Sequence, residues 1–163
     1  MTGRKMEWSC LSRVTRIDEE ITRLMKESGC RRVYLGLETG NLDTLALMKK
    51  QATLEDGQNA VRLFHKAGIE VAAFFIVGYP GETVPAIEDT FRYALELPLD
   101  SISFNVPFPL PGSQLFERVS HLDKNRDWDT ENEVTFVYES EFDPSWLQRR
   151  IRQTMQAFAD KKK

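Results

Sequence analysis

The sequence predicts an α/β protein in which parallel strands alternate with helices. Three observations support this fold class. Apolar strand-like runs alternate with amphipathic helical repeats, glycine or a capping residue separates them, and one run is apolar throughout. That run, Val71–Val77, is typical of a strand that helices cover on both faces. Strands joined through a helix in this way are parallel and connected by right-handed crossovers.

Four strands are predicted from apolar or alternating runs that glycine, proline or polar residues interrupt. In chain order they are Glu7–Leu11, Val33–Leu37, Ile69–Val77 and Ser101–Val106. The first is short and weakly apolar, whereas the third contains the longest apolar run. Gly78 and Pro80 end the third strand, because both residues interrupt regular pairing.

Six helices are predicted from apolar residues spaced by three or four positions. They begin near Asp18, Leu42, Thr53, Thr83, Ser113 and Asp143. The Thr53 helix has Asp56 in the capping-box position and Gly68 just past its end. Residues 120–142 are polar and irregular. We therefore expect two parts: residues 1–119 as the α/β unit, and residues 120–163 as an irregular segment with an amphipathic helix that packs on it.

Length and composition limit the architecture and the function. A closed eight-stranded barrel needs about 250 residues, so a chain of 163 residues with four predicted strands holds at most half of the strands of one. An open doubly wound sheet and an incomplete barrel both remain possible. With 22 Lys and Arg against 25 Asp and Glu, the net charge of −3 gives no broad basic surface for general nucleic-acid binding. No apolar run approaches the roughly 18 residues of a membrane span, and no signal peptide is evident, so a cytoplasmic location is expected.

The potential metal ligands are few. Cys10 and Cys30 are the only cysteines, which is too few for a disulfide framework or a complete iron–sulfur ligand set. We expect both thiols to be buried as small apolar groups. His65 and His121 have no partner at ligand spacing, so no metal site is predicted.

The distinctive residues follow the predicted strands, where ligands bind in parallel α/β sheets. They are Glu38–Gly40, Gly78–Thr83 and Asn105–Gly112, and Arg13 follows the first strand. Each also has a purely structural interpretation: Glu38 as the partner of a lysine, Arg13 as a surface residue, and the other two segments as a tight turn and a rigid connector. The common location of these segments, at one edge of the sheet, favours a ligand site. No catalytic residue is predicted.

In order and spacing, five segments resemble the middle of a radical SAM domain. They are Ser12–Val14, Gly36–Gly40, Leu45–Lys50, Phe75–Thr83 and Pro109–Ser113. Each motif is weak alone, but together they are specific. The resemblance runs from Glu7 to about Phe116. The chain resembles radical SAM proteins with an N-terminal cobalamin-binding domain, which include Fe-S oxidoreductases, more closely than it resembles methylthiotransferases.

The resemblance implies a partial (β/α) barrel of six strands. This chain would supply strands three to six with flanking helices and a C-terminal helix, as a fragment of that domain. The first two strands and the CxxxCxxC loop for the 4Fe-4S cluster are not expected within it, because Cys10 and Cys30 match no cluster ligand. The expected partner is therefore the missing N-terminal half or a cysteine-bearing chain, and cobalamin would bind to a domain outside this chain.

The resemblance also implies that S-adenosylmethionine binds at the strand ends. Glu38 matches a position that contacts the ribose, Lys50 a basic position that holds the methionine part, and Arg13 a position near the same end. The segments expected against the adenine are Ile76, Val77 and Gly78 on one side, and Val106 and Pro107 on the other. In its parent context the domain would generate a 5′-deoxyadenosyl radical or support cobalamin-dependent methyl transfer. The isolated chain is expected to be inactive.

Two other functions are open at this point. The chain could be a non-catalytic half-barrel that serves as a binding or assembly module with a partner chain. It could also be an α/β domain that binds a phosphate ester through the Gly78–Thr83 turn.

Overall fold

The computed structural model describes residues 6–119 and 138–163, and the predicted strand–helix alternation is confirmed there. The strands are β1 (Trp8–Ser12), β2 (Cys30–Glu38), β3 (Glu70–Ile76) and β4 (Ser101–Asn105). The helices are α1 (Glu19–Glu27), α2 (Leu42–Leu47), α3 (Leu54–Lys66), α4 (Val84–Glu96), α5 (Gln114–Arg118) and α6 (Pro144–Lys161). Most of the segment predicted to be irregular, residues 120–142, lies outside the described residues.

The four strands form one parallel sheet in the order β1-β2-β3-β4. Cys10 lies opposite Val33, Val33 opposite Val71, and Ala73 opposite Ile102. In a doubly wound sheet the strand order reverses at a switch point, whereas in a (β/α) barrel each strand pairs with the next. The sequential strand order therefore identifies the sheet as part of a (β/α) barrel and not as a doubly wound sheet.

The two faces of this sheet differ in how completely they are covered. On one face Leu35 and Phe75 have no exposed surface, because they pack in a core with side chains of α3, α4 and α6. We call the other face the open face; it carries Leu11, Tyr34, Gly36, Phe74 and Ile76. There Leu11 is 80% exposed, and the half-buried rings of Tyr34 and Phe74 stack with centroids 5.8 Å apart.

The expectation that helices cover the third strand on both faces is thus wrong. Phe74 and Ile76 point to the open face and are only half-buried. In a barrel this face is the interior, and side chains of the other strands fill it. An apolar run in the sequence does not distinguish burial in a barrel interior from burial under a layer of helices.

Local capping side chains fix the helix starts that position the loops. In α3 the Thr53 N–H donates to Asp56 Oδ2 (2.8 Å), and the Asp56 N–H donates back to Thr53 Oγ1 (3.1 Å), which confirms the predicted capping box. α6 packs on α4, where Arg150 donates to both carboxylate oxygens of Glu88. No helix of the described residues is long and apolar enough to cross a membrane.

Candidate functional site at the carboxyl ends of the strands

Glu38 ends β2 in an unusual backbone conformation. Its φ is +67°, in the left-handed region, and the pairing register with β3 shifts between Gly36 and Glu38. A shift of this kind redirects a side chain, and left-handed backbone in a residue other than glycine is uncommon outside functional or tightly determined positions. The Glu38 carboxylate lies over Gly36, where an added Cβ would be only 2.9 Å from Oε1.

The structure brings Glu38 and Lys50 together. The Lys50 Nζ donates to Glu38 Oε1 over 2.8 Å, so the lysine partner expected in the structural interpretation of Glu38 is present. The side chains are 22% and 42% exposed, so a ligand on the open face can reach both charges. The preceding residue, Lys49, has a φ of +53° and binds elsewhere, to Gln114. That Glu38 and Lys50 contact a ligand stays a prediction.

The turn after β3 is built around Glu82, to which the sequence analysis gave no role of its own within the Gly78–Thr83 segment. Glu82 is 4% exposed, and its Oε2 accepts the N–H groups of Gly78 (2.7 Å) and Tyr79 (3.0 Å). Its Oε1 accepts the Thr44 hydroxyl (3.2 Å). Burial raises the pKa of Glu82, and these three hydrogen bonds oppose that rise. The signal in the sequence was an acidic residue directly after glycines that allow left-handed turns, at Gly78 and Gly81.

The loop after β2 is held against α4. The hydroxyls of Thr39 and Thr90, both fully buried, lie 2.8 Å apart, and the Gly40 N–H donates to Thr90 Oγ1 (3.0 Å). A Cβ on Gly40 would be 2.5 Å from Tyr93 Cβ and 2.7 Å from the Asp89 carbonyl oxygen, so only glycine fits. These contacts fix the backbone directly after Glu38. Sequence reasoning missed them, because Thr39 and Thr90 are far apart in the chain.

The two segments predicted to flank an adenine are neighbours. The Val77 N–H donates to the Asn105 carbonyl oxygen (3.0 Å), which extends the β3–β4 pairing by one step. Val77, Gly78 and Pro107 are buried, whereas Ile76 and Val106 are half-buried. The structure thus brings these predicted residues together, although their contact with a ligand stays a prediction.

Arg13 does not contact the other predicted site residues. It is exposed, one residue beyond β1, and within residues 6–119 and 138–163 no hydrogen bond or ion pair of its guanidinium group is present. Alternation along β1 directs it toward the same face as Leu11. It is available to a ligand or to solvent.

The cysteines do not form a metal centre. Cys30 is buried at the start of β2, and this burial is the main reason that the pKa of its thiol is raised. Cys10 is half-buried on β1. The expected burial is thus complete for Cys30 and partial for Cys10. No group of three His, Cys, Asp or Glu side chains in the described part of the chain could hold a metal ion.

Two grooves of the described surface lie away from the strand ends. One of about 500 Å³ lies between α4 and α6, and another of about 510 Å³ lies between α1 and α3. Both are on the outer helix layer and have lining charges of both signs. Neither groove includes Glu38, Lys50 or the turn after β3. The candidate site is therefore defined by the side chains at the strand ends and not by a groove.

A parallel sheet whose strands pair in sequential order, with one open face, defines a partial (β/α) barrel. The family model of the radical SAM superfamily matches residues 2–94, which is more than half of the chain. The protein belongs to the radical SAM superfamily.

Similar proteins agree with this assignment. An uncharacterized methyltransferase of Pyrococcus horikoshii is 34% identical over 71% of this chain and 25% of its own length. A radical S-adenosylmethionine methyltransferase from Kitasatospora setae, solved with cobalamin and a 4Fe-4S cluster bound, matches with a TM-score of 0.57 and 24% identity, over 61% of this chain and 20% of that one. Methylornithine synthase shares the fold over 94% of this chain and 39% of its own, with a TM-score of 0.63 and 16% identity. The chain spans about a quarter of the length of the curated relatives that it matches.

Proposed function

We propose that this chain forms the S-adenosylmethionine-binding part of a radical SAM enzyme of the cobalamin-dependent type. The observation that carries the proposal is the Glu38–Lys50 ion pair (2.8 Å) at the end of β2, over Gly36 and beside the open face. A carboxylate and an ammonium group side by side suit a ligand that presents both hydroxyl groups and a carboxylate. S-adenosylmethionine has both.

Each residue then has a distinct task in binding. Glu38 accepts hydrogen bonds from the ribose hydroxyls, and Lys50 donates to the methionine carboxylate, with Arg13 near the same end. The half-buried side chains of Ile76 and Val106 provide apolar surface on the two sides of the adenine. These residues would bind S-adenosylmethionine, orient it and exclude water, and the bound molecule would supply the 5′-deoxyadenosyl or the methyl group for the reaction.

The adenine flanks also include backbone. Val77 and Gly78 on one strand end and Pro107 on the other are buried, so their positions are fixed before a ligand arrives. The N–H groups of Val77 and Gly78 are already used within the protein. The adenine is therefore held by apolar contact and shape on this side, with no hydrogen bond from those two donors.

The residues present do not fit the 4Fe-4S cluster. Such a cluster needs three protein thiolates close together, and the whole sequence has only Cys10 and Cys30. Cys30 lies at the amino end of β2, the end opposite Glu38. We therefore propose that the cluster ligands come from another segment or chain, that cobalamin binds to a further domain, and that residues 1–163 alone generate no radical.

Binding and reconstitution experiments test the proposal. Titration of the chain with S-adenosylmethionine, followed by NMR, should shift the amide signals of Lys50 and Gly78. Glu38→Gln should weaken this binding, whereas Glu88→Gln, a matched change on the outer helix layer, should not. Absence of shifts at millimolar ligand would overturn the binding proposal.

Anaerobic iron–sulfur reconstitution tests the second half of the proposal. The isolated chain should show no stoichiometric 4Fe-4S absorption, because it lacks a third thiolate. A stoichiometric band would contradict this. Reconstitution with a cysteine-bearing partner chain should give the band and radical chemistry. A stable complex that binds S-adenosylmethionine but stays inactive would instead favour the non-catalytic half-barrel.

The phosphate-ester alternative has less support. It needs free N–H groups in the Gly78–Thr83 turn, but Gly78 and Tyr79 donate theirs to the buried carboxylate of Glu82. A second anion at that place would meet like charge without water to screen it.

A further inference from the structure

The buried carboxylate of Glu82 joins two elements that lead to opposite sides of the proposed ligand site. Its Oε2 binds the N–H groups of Gly78 (2.7 Å) and Tyr79 (3.0 Å) in the turn after β3. Its Oε1 binds the Thr44 hydroxyl (3.2 Å) on α2. Glu82 is 4% exposed and Thr44 is 1% exposed, so water does not compete with these hydrogen bonds.

Helix α2 controls the position of Lys50. The helix ends at Leu47, and the Lys50 N–H donates to the Leu45 carbonyl oxygen (3.1 Å), which ties Lys50 to the last turn of the helix. Lys50 in turn binds the Glu38 carboxylate. A shift of α2 therefore moves the charges on the proposed ribose and methionine side.

We propose that Glu82 is a positioning residue that holds the two sides of the site in one geometry. The inference rests on the proposed function, because it assumes a ligand that spans Lys50 and the Ile76–Gly78 segment. Glu82 does not touch that ligand. It acts through Gly78 on the adenine side, and through Thr44 and α2 on the Lys50 side. A site ordered in advance avoids the loss of affinity that accompanies ordering on binding.

Four variants separate this role from general stability. Glu82→Ala removes all three hydrogen bonds. Glu82→Gln keeps an acceptor for the two backbone N–H groups, and its amide group can donate to Thr44. Thr44→Val keeps the two hydrogen bonds within the turn and removes the link to α2, together with a long hydrogen bond from the Thr44 hydroxyl to Asn41 Oδ1 (3.4 Å). Glu88→Ala is the matched control, because it removes a carboxylate of α4 that binds Arg150 on the outer layer and, among the described residues, makes no hydrogen bond with the turn after β3 or with α2.

The first measurement is affinity for S-adenosylmethionine. Glu82→Ala should weaken binding by about tenfold or more, and Thr44→Val by about three- to tenfold, since charged hydrogen bonds are among the stronger ones. Glu82→Gln and Glu88→Ala should bind within about twofold of the wild type. If Glu82→Ala does not fold, Thr44→Val carries the test. Wild-type affinity in Thr44→Val would overturn the inference while the proposed function stands.

The second measurement needs no ligand. Amide hydrogen exchange at Gly78, Tyr79 and Lys50 should rise by about tenfold or more in Glu82→Ala and stay unchanged in Glu88→Ala. In Thr44→Val it should rise at Lys50 alone. If the wild type fails to bind S-adenosylmethionine, the proposed function is wrong, and the exchange data still decide on the link. If hydrogen exchange at Lys50 is unchanged in both Glu82→Ala and Thr44→Val, the inference is overturned.

Discussion

Replacing Gly36 by alanine should impair ligand binding without reducing stability. The new Cβ would be 2.9 Å from Glu38 Oε1, which is closer than real Cβ contacts, so the carboxylate has to move. Among residues 6–119 and 138–163, the only other close atom is Glu38 Cδ at 3.6 Å, and the φ of Gly36 is not in the left-handed region. The backbone therefore accepts alanine, and the change acts on one flexible side chain.

The two effects on stability nearly cancel. Alanine in place of a strand glycine stabilises by roughly 0.5–1 kcal/mol. Disturbing the Glu38–Lys50 ion pair costs about 0–1 kcal/mol, because Lys50 is more than a third exposed and solvent screens it. The free energy of unfolding, measured by urea denaturation, should therefore change by less than about 1 kcal/mol.

The effect on binding is larger. A displaced carboxylate loses hydrogen bonds to the ribose that are worth about 1.5–3 kcal/mol, which corresponds to about ten- to hundredfold in affinity. Isothermal titration with S-adenosylmethionine measures this loss. If Gly36→Ala acts through Glu38, then the double variant with Glu38→Gln should bind no more weakly than Glu38→Gln alone. Additive losses, or wild-type affinity in Gly36→Ala, would refute the reasoning.

Three further predictions concern stability and are measured by urea unfolding. Gly40→Ala should destabilise by about 1–3 kcal/mol, because its Cβ meets backbone of α4 that cannot yield; a neutral result would contradict this. Phe75→Ala should cost about 3–5 kcal/mol, because the ring is fully buried; a loss below 1 kcal/mol would indicate that the core refills. Hydrogen bonds from Arg150 lower the pKa of Glu88 below 4.5, so their stabilisation is present above that pH and is lost as the pH falls through the lower, folded-state pKa. Glu88→Gln should remove this part of the pH dependence, and an unchanged curve would contradict the assignment.

The sequence was sufficient where the determining contacts are local. The capping box of Thr53 and Asp56 spans three residues, and the predicted bond pattern is present. The parallel strands were predicted from the strand–helix alternation, and the partial barrel was implied by the family resemblance, although two helices, α2 and α3, connect β2 to β3. The prediction that helices cover both faces of the third strand was wrong, because an apolar run indicates that a strand is buried but not which element buries it.

The sequence placed the candidate residues at the strand ends but did not predict the contacts that hold them there. Glu38 and Lys50 were recognised from a motif, and their mutual ion pair was one of two interpretations. The role of Glu82 was missed, because it depends on Thr44 from another element and on a turn with φ of +79° at Gly78. A buried acidic side chain that binds backbone leaves no periodic signal in a sequence.

The strand order has a consequence for how the protein folds. Among the described residues, every strand pairs only with strands that adjoin it in the sequence. Each pairing closes a loop of a few tens of residues, so no strand waits for a distant partner. The sheet can therefore assemble in the order in which a ribosome delivers it, one strand–helix unit docking on the last. Growth of this kind adds each new unit at one edge of the sheet and leaves the register of the earlier strands unchanged.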